Sequence, residues 1–281
     1  RDYVLLSLTI GEKEEGYIDA YYGPLELQAQ AKEEAAGQSL EALSNRADQL
    51  SKQVAEAAQG AEGMDQRRAK FLAAQLTAAT TRLRMLRGEK LSFQDEAQGL
   101  FGVRPELKPL ASYDPLLEQV EKLVPGAGPL ADRVEAFQTR FTIPTDRLKP
   151  VFDAAIAECK ARTARHIALP EGDRFDLGFG TGKSWSGYNY YQGGYHSRIE
   201  INTDLPMRIS RAVDLGCHEG YPGHHVLNAL LEQKLTKGRG WIEYSVYPLY
   251  SPQSLLAEGS ANYGIELALP GAERTAYEVK S

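Results

Sequence analysis

Apolar residues recur at helical spacing along most of this chain, most clearly between residues 64 and 87. Leu72, Leu76, Ala79, Leu83 and Leu86 stand three or four positions apart there, so one stripe of a helix faces a core. Arg67, Arg68, Arg82, Arg84 and Arg87 fall mostly off that stripe and read as a solvated face. Residues 1–16 predict an earlier helix, broken by Gly16-Tyr-Ile-Asp-Ala-Tyr-Tyr-Gly-Pro24, where Pro24 suits a first helical position. Residues 25–59 are rich in Ala, Glu, Gln and Leu, and Gly37-Gln-Ser39 splits them into two helices with Ser39 as the second cap. Ser92 opens a short helix to about residue 100, and two more are predicted over 113–124 and 128–140. Ile143-Pro144-Thr145 starts another, whose apolar face is Leu148, Phe152, Ala155, Ile156 and Cys159 and which ends near Arg165.

The pattern changes after residue 168. Glycines and tyrosines become frequent, and Arg174-Phe-Asp-Leu-Gly-Phe and Ser197-Arg-Ile-Glu-Ile-Asn alternate with period two. Two or three short antiparallel strands are expected, in the only convincing β region. Thr203-Asp204-Leu-Pro206 is read as the cap of the next helix. The expected fold class is therefore mainly α with a small antiparallel β-sheet. It divides into a helical region over 1–165 and a second region over 166–281 that carries the sheet and two helices of chemical interest.

Composition narrows the function classes. A net charge of −6 offers no positive field for phosphates and argues against a nucleic-acid partner. No apolar run approaches the ~20 residues of a transmembrane helix. The N-terminus lacks the basic region and cleavage site of an intact signal peptide, although one could have been removed. Cys159 and Cys217 lie far apart and suggest no disulfide framework, so a reducing, cytoplasmic setting is expected over a periplasmic or secreted one. Cys159 reads as a small core residue.

The chemistry concentrates in Asp214-Leu-Gly-Cys-His-Glu-Gly-Tyr-Pro-Gly-His-His-Val-Leu-Asn228. It holds His218, His224 and His225, three of the five histidines, with Glu219 directly after the first. Neutral imidazoles suit zinc, and a carboxylate beside a ligand can serve as a base. The spacing is not that of His-Glu-x-x-His, where histidines four apart share one ion. On an unbroken helix His218 and His225 would differ by about 20° in azimuth but by about 10.5 Å along the axis. Ligands of one zinc, each about 2.0–2.1 Å from it, cannot be so far apart. Pro222-Gly223 supplies a possible distortion, since proline removes an amide and glycine permits an unusual turn. Azimuth favours His225 as the second ligand. Some thirty residues on, Ala257-Glu258-Gly259-Ser260-Ala261-Asn262 begins a second helix with a carboxylate near its start. A lone carboxylate so placed is otherwise a partner for the helix dipole. His166 reads as a surface residue, and His196, in the tyrosine-rich region, is a candidate to face a cleft.

His-Glu-Gly-x-Pro-Gly-His-His followed by Glu-Gly-x-Ala resembles the bacterial family called domain of unknown function 885, and Asp19-Ala-Tyr-Tyr-Gly-Pro24 resembles its N-terminal region. The resemblance covers most of the chain. It implies a zincin-like architecture of the thimet oligopeptidase and Taq carboxypeptidase kind, with a zinc-dependent hydrolase, most naturally a metallopeptidase, as the activity and a peptide or small molecule as the substrate. It places one Zn2+ on His218, on His224 or His225, and on Glu258, with Glu219 as the base. Gly223-His224 is similar to the Gly-His of His-Glu-Phe-Gly-His, which favours His224. Tyr250, or Tyr247, would donate to an oxyanion, Asn262 would orient a ligand, and strand 197–202 would pair with an extended peptide. Two departures stand out. Ser260 replaces the family's usual tryptophan, and the chain ends soon after Glu258 where relatives run on, which implies a fragment. The alternatives are an inactive metal-binding scaffold and an amidase or esterase on non-peptide substrates.

Overall fold

A computed structural model describes residues 1–280, and it is mainly helical with two small sheets. Helix α1 (Asp2–Gly11) runs through the middle of the first half and is buried from Tyr3 to Ile10. Such a helix is apolar on every face, and its hydroxyls must bond inward. Ser7 donates to the Tyr3 carbonyl at 3.0 Å and Thr9 to the Leu5 carbonyl at 2.7 Å. Strand β1 (Ile18–Tyr21) follows, then α2 (Leu25–Gly37), α3 (Leu40–Ala57) and α4 (Gly63–Leu86). Ser39 caps α3 by accepting from the Ala42 amide at 3.1 Å, as its position predicts. Leu76, Ala79 and Leu83 of α4 are fully buried against Leu6, Leu27 and Leu43, so the predicted stripe does face a core.

The arginines of α4 do not all lie on a solvated face. Arg82 forks onto Glu14 and lies over the Tyr250 ring, 3.8 Å from its centroid, while Arg68 pairs with the buried Glu243. Both partners on the far side come from the second half of the sequence, so these charges join the two halves.

Helices α5 (Phe93–Phe101), α6 (Asp114–Leu123) and α7 (Leu130–Thr139) form the middle of the chain. Ser92 caps α5, accepting from the Asp95 amide at 3.2 Å. Helix α8 (Leu148–Thr163) then packs onto the second half. Its Leu148 and Phe152 meet Ile199 and Ile201, and its Ala155 and Cys159 meet Val213 and Cys217.

The predicted β region is present, with a correction to its topology. Strands β2 (Arg174–Gly180), β3 (Gly187–Gly193) and β4 (His196–Asn202) order as β2-β4-β3. β3 runs antiparallel to β4, but β2 runs parallel to it, from Arg174 beside His196 to Gly180 beside Asn202. The sheet is mixed because β4 inserts between its two predecessors. The cap expected at Thr203–Pro206 is also absent. The Asp204 carboxylate instead accepts from the Gly182 amide at 2.8 Å, and helix α9 (Ile209–Leu215) starts later.

Beyond α9 come helix α10 (His224–Leu231), strand β5 (Val246–Pro248), and helices α11 (Pro252–Ala268) and α12 (Gly271–Lys280). β5 pairs antiparallel with β1, a second sheet whose strands of four and three residues are too short for a periodicity to reveal. Val246, Ile242 and Tyr250 thereby join the core of the first half. No helix among the described residues is long and apolar enough to cross a membrane.

The two cysteines are not separate thiols. Cys159 and Cys217, both fully buried, form a disulfide across 58 residues of sequence. Distance along the chain hid the pairing, because α8 and the segment after α9 meet only in the folded state. A crosslink closing a loop of this length stabilises by about 2–4 kcal/mol. Denaturation with and without a thiol reductant should show that loss, and a wild-type protein titrating two free thiols when unfolded without reductant would contradict the bond.

Candidate metal centre

The segment between α9 and α10 departs from helical geometry where Pro222 and Gly223 stand. Gly216–Gly220 makes a π-helical turn, the Tyr221–Pro222 peptide is cis, and the Gly223 amide returns to the Cys217 carbonyl at 3.0 Å. A Cβ on Gly223 would lie 1.7 Å from the His218 carbonyl oxygen, so no larger residue fits. Helix α10 then begins with His224. The loop folds back on itself, and His218 and His224, six residues apart, bring their Nε2 atoms to 3.1 Å.

Glu258 closes the group from α11. Its Oε2 lies 3.3 Å from His218 Nε2 and its Oε1 3.4 Å from His224 Nε2. It stands in the second turn of a helix that starts at Pro252, so the dipole at the helix start does not account for it. α11 comes close through Gly264, where a Cβ would lie 2.9 Å from Pro222 Cγ. Glu219 is buried beside these residues, and ligand atoms of His218, Glu219 and His224 all lie within 4.8 Å of one another. The three could hold a metal ion.

The distances test that fit. Zinc ligands at about 2.0–2.1 Å in tetrahedral array stand about 3.3 Å apart along each edge. The His218–His224 separation of 3.1 Å is close to it, and the two Glu258 oxygens lie 3.3 and 3.4 Å from one histidine each, near enough for one of them to share an ion with the pair. Converging ring nitrogens and carboxylate oxygens need a shared proton or a shared cation between them. Electrostatics agree. Hydrogen bonds from His218, then His224, hold the Glu258 carboxyl well below the usual carboxylate range. Burial opposes protonation of His224, yet Glu258 and Glu219 outweigh it and raise its pKa. Burial also raises the Glu219 carboxyl, against the pull of His224 and His218.

No family model, curated protein or solved structure matches the chain. The site is therefore read on its own geometry.

Among the residues singled out in the sequence, His218, Glu219, His224 and Glu258 come together. His225 does not. It is fully buried on the far side of α10, with Nδ1 2.9 Å from Ser197 Oγ and Nε2 3.7 Å from Asp173, between the rings of Phe175 and Tyr221. The azimuth argument for it assumed a regular helix, which the π turn and the Gly223 closure abolish. Tyr250 is also elsewhere, packed between Arg82 and Tyr17 in the first core. Tyr247 does line the site. Asn262 lines a cavity with His218 and Glu258. His196 bonds Asp176 at 2.9 Å outside both cavities, and His166 is exposed.

Two clefts flank the group and share Gly187, Glu219 and Glu258 in their walls. The strand beside them is β3, not β4. β4 is paired on both sides and has no edge to offer, whereas Gly187, Tyr188 and Asn189 of the outer strand line the smaller cavity. Asp19 lines it too, from β1, and accepts a hydrogen bond from the Tyr188 hydroxyl. Burial raises its carboxyl pKa. In the sequence Asp19 stood only within a chain break and within the stretch that resembles the family's N-terminal region, with no site role.

Two outcomes follow. His224→Ala should abolish metal binding while His225→Ala keeps it, as read by metal content of the purified proteins; the reverse result would reassign the ligand. Burial lowers the His225 pKa to about 4 from 6.5. The unfolded chain then takes up the proton first, so this residue's contribution to stability is full above pH 6.5 and is lost as pH falls toward 4. The loss is about 3 kcal/mol. In metal-free protein, His225→Gln should flatten the stability profile across that window.

Proposed function

We propose that the chain is a zinc-dependent hydrolase acting on amide bonds, most naturally peptide bonds. The observation that carries this is the convergence of His218, His224 and Glu258 with the buried Glu219 beside them. Two imidazoles and one carboxylate are a catalytic ligand set, because they leave a position open. The resemblance to domain of unknown function 885 and its zincin-like architecture points the same way. A zinc ion held by these side chains would acidify water and polarise a carbonyl.

The chain's own residues do the rest. Glu219, desolvated and so drawn toward neutral pH, takes a proton from the attacking water and returns it to the leaving amine. Tyr247 offers a hydroxyl in the same cavity where an oxyanion would need a donor. Asn189 donates from Nδ2 to the Glu219 carbonyl at 2.7 Å, which fixes the base's backbone against β3. The edge of β3 that no strand of its sheet pairs with would suit an extended substrate.

Glu219→Gln is the test. It should keep its zinc and lose roughly 10²–10⁴-fold in turnover on a panel of peptides, amides and esters. An unchanged rate would remove Glu219 as the base. Zinc binding without turnover by the wild type on any substrate would leave a metal-holding scaffold.

A further inference from the structure

The smaller cavity has a floor that the hydrolytic reaction does not use. Asp19 and Asn189 reach it from two different strands, with Tyr188 between them. Asp19, Glu219 and Glu258 all line this space, and no lysine or arginine does. None pairs with Asp19 elsewhere among the described residues either; its hydrogen-bond partner is the neutral Tyr188 hydroxyl on Oδ1. A second observation is independent of that charge. Asn189 is only 6% exposed, and while its Nδ2 is spent on the Glu219 carbonyl, its Oδ1 is buried with no partner. A buried acceptor left without a partner is destabilising and calls for a donor. A carboxylate and an amide oxygen, both acceptors, on residues that line one pocket are the complement of a group that carries positive charge and several N–H donors.

We infer that Asp19, with the open Oδ1 of Asn189, receives an ammonium group of the substrate in the pocket beside His224. Its meaning as a substrate subsite rests on the hydrolase reading. The ammonium is either the free α-amine of a peptide, whose first amide bond then lies next to the metal ligands, or the side chain of a lysine. Tyr188 acts as a positioning residue, holding the Asp19 carboxylate on the cavity side of β1. The larger cavity differs in kind, since Arg211 is in its wall.

Binding can be measured apart from turnover. Zinc-loaded Glu219→Gln protein is titrated calorimetrically with three probes: alanyl-alanine amide, its N-acetylated form, and N-acetyl-lysine amide. At least one of the two ammonium-bearing probes should bind roughly tenfold or more tightly than N-acetyl-alanyl-alanine amide, the size of a charge-assisted hydrogen bond. Which one does so identifies the source of the ammonium. Adding Asp19→Asn should erase the preference at unchanged zinc content, and adding Tyr188→Phe, which removes the hydroxyl that holds Asp19, should weaken it. Equal binding of all three probes, no binding of either ammonium probe, or a preference that survives Asp19→Asn overturns the assignment. If Asp19→Asn does not fold, the probe preference of the Glu219→Gln protein decides alone. Wild-type turnover without any ammonium preference would overturn this inference and leave the hydrolase standing. Selective binding without any wild-type turnover would do the opposite.

Discussion

The backbone of Gly223 lies so close to the His218 carbonyl that a single added carbon would sit 1.7 Å from its oxygen. That approach sets the two imidazoles face to edge, because it replaces a helical rise of about 1.5 Å per residue with a loop that returns to its own start. The neighbouring elements are arranged to hold it. The Cys159–Cys217 bond ties the preceding residue to α8, and Gly264 lets α11 press on Pro222. Glu258 rides on that same helix, so the contact that braces the loop also delivers the carboxylate.

Charge is the second constraint. Asp19, the buried Glu219 and the more exposed Glu258 lie around two histidines, and repulsion among them raises the cost of leaving the group without a cation. Glu258 is drawn down by its histidines while Glu219 is pushed up by burial. Carboxylates separated in this way can take different parts in one reaction, one staying ionised as a ligand and the other trading a proton. The sheet contributes shape rather than charge to this division, by setting the small residue Gly187 beside Glu219.

The helices of the first half were legible because each is written locally. Ser39 and Ser92 cap where their spacing says they should, and the stripe of Leu76, Ala79 and Leu83 needs no distant partner to be recognised. His218, Glu219 and Glu258 were legible from residue type and motif. What escaped was set by contacts between remote segments. The disulfide, the β1–β5 pairing, the parallel placement of β2 and the burial of Tyr250 under Arg82 all join residues far apart in sequence. His225 was drawn in by a periodicity that holds only while the helix is regular. Asp19 escaped for the first reason, since nothing within its own strand tells which cavity that strand will border.

The site also has an order of assembly built into it. Asp19 lies near one end of the chain and Glu258 near the other, joined through the pairing of β1 with β5. Loop closure over such a span is slow compared with local contacts. During synthesis the residue at the cavity floor emerges first, the histidine loop forms late, and Glu258 arrives last. A growing chain therefore presents paired imidazoles before it presents a finished cleft. The histidine pair is thus in place before the carboxylate that closes the group.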